Sequence, residues 1–362
     1  MPATGLARSR GSTLADPHLA YEAVQQALER IGAERARSVL LFLTGHFSRD
    51  PVPAIHAAAR AAQTTQIAGC TAVGVYTERD WVIDVPAAAA LVFASPADEH
   101  EPVPSLGAHN DDWLLSLAGP GAANRDWLAL PGRRIGALAG DGTGRGPFPV
   151  WSAGKVLDAG RLDLQLPWPA CRVTVSPGLT PLSALLGVTE VKDFDLLRVG
   201  HKPALAALVA QALPHLDGGQ QFPWHRLLIA RAEDEPRLAL ASGDYELLPV
   251  LGVNANRSLL VGGRLLEGDR IFSVLREPQF AKQEVDVKLA TIKSEAPAQF
   301  VLLFNCAGRG PAFFEGRDAD WDSVKRAYPG VPLIGFYGNG EIAPMAGRNR
   351  LFQYASVCAL VG

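Results

Sequence analysis

Unbroken apolar runs mark the strongest strands in this chain, and two of them recur in matched company. Val39-Leu40-Leu41-Phe42 is followed by an alanine-rich helical stretch, a re-entrant run at residues 65–68 and the glycine turn Gly69-Cys70-Thr71-Ala72-Val73-Gly74. Val301-Leu302-Leu303-Phe304 is followed by a helical stretch at residues 320–328, with Trp321, Val324 and Tyr328 three and four apart, and then by Gly335-Phe336-Tyr337-Gly338-Asn339-Gly340. A buried strand shows as a short apolar run and a helix as a period of 3.6, so each set reads as strand, helix, strand and glycine turn. Glycine lets the backbone bend sharply or come close to a ligand. The pattern predicts two related domains from an internal duplication, with equivalent ligand-facing turns.

Further elements follow from the same signals. Asp16-Pro17 supplies an N-cap and a first-turn proline, and Leu19, Ala23, Val24, Ala27, Leu28 and Ile31 share one helical face. Asp50-Pro51 repeats that start before the small-residue face of Ile55, Ala58, Ala59 and Ala62. Residues 203–213 read as a helix with Leu205, Leu208, Val209 and Leu213 inward. Short runs at 81–85, 88–93, 135–139, 154–166, 171–175, 227–229, 238–241, 259–261 and 270–274 read as strands. The expected fold is α/β with mixed sheets and antiparallel additions. Its expected divisions are a mobile tail (the first 15 residues) with an N-terminal helix over 1–35, one domain over 36–195 and another over 196–362. The boundary is placed where Lys192, Asp193, Asp195 and Arg198 make the chain locally charged.

Composition narrows the partners. A chain of 362 residues exceeds the usual single-core size. A formal charge of −3 supplies no drive toward nucleic acid or an anionic membrane. Four cysteines, Cys70, Cys171, Cys306 and Cys358, form no CxxC or CxxCH pair, which argues against a disulfide framework, a zinc site or covalent haem attachment. No run of about 18 apolar residues is present, so a soluble, cytoplasmic protein is expected.

The stretches Ile67-Ala68-Gly69-Cys70-Thr71-Ala72-Val73-Gly74-Val75, Cys306-Ala307-Gly308-Arg309-Gly310 and Gly335-Phe336-Tyr337-Gly338-Asn339-Gly340-Glu341-Ile342 resemble the FIST (F-box and intracellular signal transduction) sensory proteins. Weaker matches are Ser176-Pro177-Gly178, Val188-Thr189, Pro203-Ala204-Leu205 and Glu267-Gly268. The resemblance spans residues 36–362, covering N- and C-terminal modules, with a tail too short for an F-box. It implies a sensory protein that binds a small polar metabolite, such as an amino acid, as input to signal transduction. It also implies a signalling partner such as a histidine kinase or a cyclic-dinucleotide enzyme, and in some members haem that senses nitric oxide. This chain departs from the family in carrying Phe352-Gln353-Tyr354-Ala355 where a polar His-Asn-x-Thr-like run is usual.

Arg309 and Glu341 follow neighbouring strands, and their charges suit a zwitterion, guanidinium to carboxylate and carboxylate to ammonium. The plainer alternative is that they pair with each other or with backbone amides. Opposite them the first set has Phe47 and Val75, so a charged site would be asymmetric. The candidate ligand-binding residues are Cys306, Arg309, Gly310, Tyr337, Gly338, Asn339, Gly340 and Glu341, with Gly69, Cys70 and Thr71 from the first set. Cys306 at a strand end allows a cysteine-dependent enzyme as an alternative, against which stands an inert buried thiol. Gly140-Asp141-Gly142-Thr143-Gly144-Arg145-Gly146 fails the dinucleotide spacing and has no following Gly-Lys-Ser/Thr, so it reads as a flexible loop over the site mouth or a plain surface loop. Eight histidines, His18, His46, His56, His100, His109, His201, His215 and His225, form no HxH or HExxH pair. His201 and His225 are the candidate axial ligands of the haem alternative, weighed against ordinary surface or core histidines.

Overall fold

A computed structural model describes residues 2–94, 101–105, 107–168, 170–215, 224–292 and 297–362; His100 lies outside them. Strand outweighs helix, 39% against 24%, so the α/β class holds with sheets as the framework. The chain divides into two compact units, Met1–Ser176 with Val285–Gly362, and Pro177–Glu284.

The larger unit holds three six-stranded sheets with one strand order. The first runs Ala3–Arg8, Ala87–Phe93, Ser38–Thr44, Ile67–Ala72, Val150–Ser152, Lys155–Val156. The second runs Cys171–Ser176, Ser356–Val361, Phe300–Cys306, Leu333–Gly338, Gly74–Thr77, Trp81–Ile83. The third runs Val103–Pro104, Arg161–Leu166, Trp113–Ala118, Arg133–Leu138, Glu341–Met345, Arg348–Phe352. In each sheet the third and fourth strands are parallel, and the chain between them carries a helix: Val52–Ala62, Ala319–Ala327 or Arg125–Ala129. The last two strands are a hairpin lent by another set. The chain leaving Ile67–Ala72 supplies the hairpin of the second sheet, that leaving Leu333–Gly338 supplies the third, and that leaving Arg133–Leu138 supplies the first. The exchange is cyclic.

Side-chain alternation sorts the faces. Val39, Leu41, Leu43 and Ile67 lie under helices His18–Ile31 and Val52–Ala62, while Phe42 turns the other way onto Phe304 and Phe336 of the second sheet, with ring centroids 6.4 and 4.8 Å away. The two apolar runs flagged in the sequence thus occupy equivalent places in the first and second sheets. The third parallel pair, opening with Trp113 and Arg133, carries no comparable signature.

The glycines Gly69 and Gly335, expected in turns, are mid-strand. A Cβ on Gly69 would lie 1.7 Å from the Leu41 carbonyl oxygen, one on Gly335 1.7 Å from that of Leu303, and one on Gly136 1.8 Å from that of Ser116. In all three pairs glycine lets the parallel neighbour's carbonyl occupy the space of a side chain. Gly335→Ala is therefore expected to destabilise by about 3 kcal/mol, the upper end for overpacking, measured by urea denaturation; a loss below about 0.5 kcal/mol would show that the strands part without strain.

The smaller unit is a six-stranded antiparallel barrel. Leu186–Lys192, Asp195–Val199, Leu259–Val261, Glu246–Val253, Leu227–Arg231 and Arg270–Arg276 pair in turn, and the last closes on the first. Val188, Leu196, Ile229, Leu248, Leu259 and Ile271 fill it beneath Ala204, Ala207 and Leu208 of the helix Ala204–Ala212.

Several expectations differ from this architecture. The supposed mobile tail contains the strand Ala3–Arg8, paired with Ala87–Val92; its Gly5 lets the helix His18–Ile31 close over it, since a Cβ there would lie 1.8 Å from the Ala23 carbonyl oxygen. Residues 190–200, the expected boundary, lie within a barrel hairpin; Lys192, Asp193 and Arg198 are exposed there, while Asp195 accepts from Asn254 Nδ2 at 2.9 Å. Residues 238–241 are not a strand but part of the helix Pro236–Ser242, which Pro236 opens and Gly243, with φ of 72°, closes. Among the described residues, no helix is long and apolar enough to cross a membrane.

Candidate functional site

The carboxyl ends of the three parallel pairs meet in a ring of main-chain hydrogen bonds. The Val73 amide donates to the Tyr337 carbonyl (3.0 Å), Asn339 to Leu138 (3.1 Å) and Gly140 to Thr71 (3.0 Å). Each acceptor lies two residues beyond its crowded glycine, Gly335, Gly136 or Gly69. Predicted residues from distant parts of the chain, Thr71, Tyr337 and Asn339, are thereby brought together.

The glycine turn approaches the chain itself. A Cβ on Gly338 would lie 2.6 Å from the Leu138 carbonyl oxygen, and one on Gly340, whose φ is +156°, would lie 3.0 Å from that of Phe352. Asn339 Nδ2 donates to the Ala139 carbonyl at 3.1 Å. The adjoining loop at residues 140–146 folds around one carboxylate: Asp141 accepts from the Thr143, Gly144 and Gly146 amides and the Thr143 hydroxyl at 2.5–3.1 Å. It lies over Gly45, where a Cβ would come 2.8 Å from the Asp141 Cα. The loop thus covers the end of Ser38–Thr44.

Arg309 is turned inward by the short helix Ala307–Arg309 and is 1% exposed. Its Nε and Nη2 donate to Asp320 at 2.6 and 3.2 Å, Nη1 to the Ser176 carbonyl at 2.6 Å and Nη2 to the Ser176 hydroxyl at 2.9 Å. This fork is engaged within the fold, and its carboxylate is Asp320 rather than Glu341. Asp318 caps the helix by accepting from the Trp321 amide at 2.9 Å and also accepts from the Tyr337 hydroxyl. Burial and the neighbouring Asp320 charge push the Asp318 carboxyl up to about 7. The Tyr337 phenol is held well above its ordinary value by burial and by Asp318. Gly310 seats that ring, since its Cβ would lie 3.4 Å from it. In the sequence Asp318 and Asp320 look like ordinary helix-start acids; only the turn of Arg309 toward them reveals more.

Glu341 is fully buried. Its neighbour Ile342 packs with Ala118, Trp127 and Leu138 beneath the helix Arg125–Ala129, so Glu341 faces the opposite, inner side of its sheet. Oε2 accepts from the Ala355 amide at 3.2 Å, whereas Oε1 has no hydrogen-bond partner. The Ala355 carbonyl accepts from the Cys306 amide at 3.0 Å, placing Cys306 beside it. Burial drives the Glu341 carboxyl well up, opposed only in part by the Ala355 amide and the Arg309 charge. A neutral acid of this kind both donates and accepts hydrogen bonds. Asn305 Oδ1 accepts from the Ser356 hydroxyl at 2.7 Å, but Asn305 Nδ2 and the Thr71 hydroxyl are buried without partners. Cys70 is buried and its thiol pushed well up, which disfavours the nucleophilic thiolate.

Comparison with known proteins bears on the same segment, for residues 206–344 match the FIST C domain. The chain carries a FIST C domain. This match runs from the barrel helix Ala204–Ala212 to the strand Glu341–Met345 and so contains Arg309, Asp318, Asp320, Tyr337 and Glu341. The chain is also similar to Uncharacterized protein Rv0628c of Mycobacterium tuberculosis, 26% identical over 94% of this chain and 95% of the relative. Uncharacterized protein Mb0898c of Mycobacterium bovis is 28% identical over 64% of this chain and 61% of its own length.

The haem suggested by resemblance needs an apolar slot beside its axial ligand. Within the FIST C domain only His215 and His225 occur as histidines, and His201 lies just before it. His201 and His225 are both exposed on barrel turns. The cavity inside the barrel, about 20 Å³, has room for about one water. These residues do not fit the group. Among the described residues, no cluster of three or more His, Cys, Asp or Glu could hold a metal ion.

Proposed function

We propose that this protein is a cytoplasmic sensory module that binds a small polar metabolite where the three strand ends meet, with Glu341 as the reading group. One observation carries the proposal: a fully buried carboxyl with one unsatisfied oxygen, Oε1. Buried polar atoms are almost always hydrogen-bonded, so an orphan of this kind calls for a partner, and a strongly shifted acid is a marker of functional sites. The ligand chemistry that suits it is an ammonium, amide or hydroxyl group, because Arg309 already serves Asp320 and Ser176. The FIST C domain, presumed sensory, supports the signalling role. The output partner is a signalling protein such as a histidine kinase or a cyclic-dinucleotide enzyme. Four free cysteines agree with a reducing compartment. The matched strand orders of the first and second sheets suit descent by internal duplication.

Native electrospray mass spectrometry of the purified protein, before and after denaturation, is expected to reveal a released small polar ligand. Glu341→Leu should abolish its retention and raise the melting temperature, since an apolar group replaces an unsatisfied buried acid. Retention unchanged in Glu341→Leu, together with a lowered melting temperature, would make Glu341 part of the scaffold.

A further inference from the structure

A second cavity lies at the opposite ends of the same parallel strands. It has a volume of about 220 Å³ and is bounded by residues that precede Phe300–Cys306 (Pro297 and Ala298), that end the helix Ala319–Ala327 (Ala327, Tyr328 and Pro329), and that lie near the edge of the second sheet (Arg172 and Leu360). Its walls are apolar apart from two side chains, and the main chain of Gly362 also borders it. Arg172 sits on the edge strand Cys171–Ser176 opposite Leu360. It is exposed, and no carboxylate among the described residues pairs with it. The Tyr328 hydroxyl donates to the Leu289 carbonyl at 3.2 Å and borders the same cavity as Arg172.

We propose that this cavity binds a small apolar monocarboxylate, with Arg172 holding the carboxylate. Size sets the class: an apolar cavity of roughly 150 Å³ accepts benzene, and drug-sized ligands need about 300 Å³ or more. The occupant falls between, as a short-chain or single-ring acid does. Charge sets the orientation. The carbonyl end of the helix Ala319–Ala327 carries negative partial charge, so the carboxylate lies on the Arg172 side and the apolar body against Pro329 and Val331, which also lines the cavity. The guanidinium, free to form a two-pronged contact, is suited to that role. This site is separate from the Glu341 reading, and either stands without the other.

Hexanoate and its neutral counterpart hexanamide, titrated into the full-length protein, test the assignment. Hexanoate should shift the backbone amide resonances of Ala298, Val331 and Leu360 and bind about tenfold or more tightly than hexanamide. Arg172→Gln should erase that preference while leaving hexanamide affinity unchanged, which also reports an intact fold. Val331→Trp should exclude both. No shift at those amides up to about 10 mM hexanoate, equal affinity for the two ligands, or a preference that survives Arg172→Gln would each overturn the proposal.

Discussion

Arg309→Ala is expected to lower the free energy of unfolding by about 3–5 kcal/mol, the range for removing one partner of a buried ion pair. The guanidinium is 1% exposed and Asp320 0%, so the variant takes the bonded guanidinium away from a carboxylate in the interior. The cost arises from that stranded charge more than from the lost attraction, and a double variant separates the two. Arg309→Met with Asp320→Leu removes both charges at similar volume and should recover most of the loss. Urea denaturation of the two single variants and the double variant measures the cycle. A loss below about 1 kcal/mol for Arg309→Ala, as for exposed pairs, would mean that water reaches Asp320.

Stability should also fall as pH rises from about 4 to 7, with a slope approaching about 1.4 kcal/mol per pH unit. Asp318 supplies that slope, and the buried Glu341, whose carboxyl is also driven up, adds to it in the same sense. Unfolded, the Asp318 carboxyl titrates near 3.9; folded, burial and Asp320 hold it protonated up to about 7. The folded protein therefore binds this proton more tightly than the unfolded chain. Its stabilisation is complete below the unfolded value, declines as pH rises and is gone above the folded value. Asp318→Asn keeps an N-cap for the Trp321 amide but cannot ionise, so its profile should be flatter across that window. Matching profiles for wild type and Asp318→Asn, by urea denaturation at each pH, would assign the pH dependence elsewhere.

The parallel pairs were legible where the chain is apolar on both strand faces. Val39–Phe42 and Val301–Phe304 pack against helices on one side and against another sheet on the other, which removes alternation and leaves the unbroken run. Of the third pair only 135–139 reads as a strand, because Trp113, Ser116, Arg133 and Arg134 interrupt its runs. Arg134 is nevertheless buried, bonded to the Leu130 carbonyl at 2.7 Å and to Asp163 at 3.2 Å. The barrel was hidden for a different reason: its strand Leu186–Lys192 alternates around just one fully buried residue, Val188. Arg309 and Glu341 were placed at the correct strand ends, but charge signs along a sequence do not reveal which acid a guanidinium will meet. Asp320, eleven residues later, reaches Arg309 because the helix it opens starts beside that turn.

The lending of hairpins around the three sheets has a consequence for anyone who would cut this chain. A fragment trimmed to residues 206–344 keeps the strands Phe300–Cys306 and Leu333–Gly338 but loses Ser356–Val361 on one flank and Gly74–Thr77 on the other. Both sides of a flat, apolar parallel ribbon would then present bare amides and carbonyls to other chains, the condition under which sheets polymerise. Sequence matching draws the border of the FIST C segment through the middle of a woven object, and a piece cut along that border is a seed for aggregation rather than a miniature of the whole.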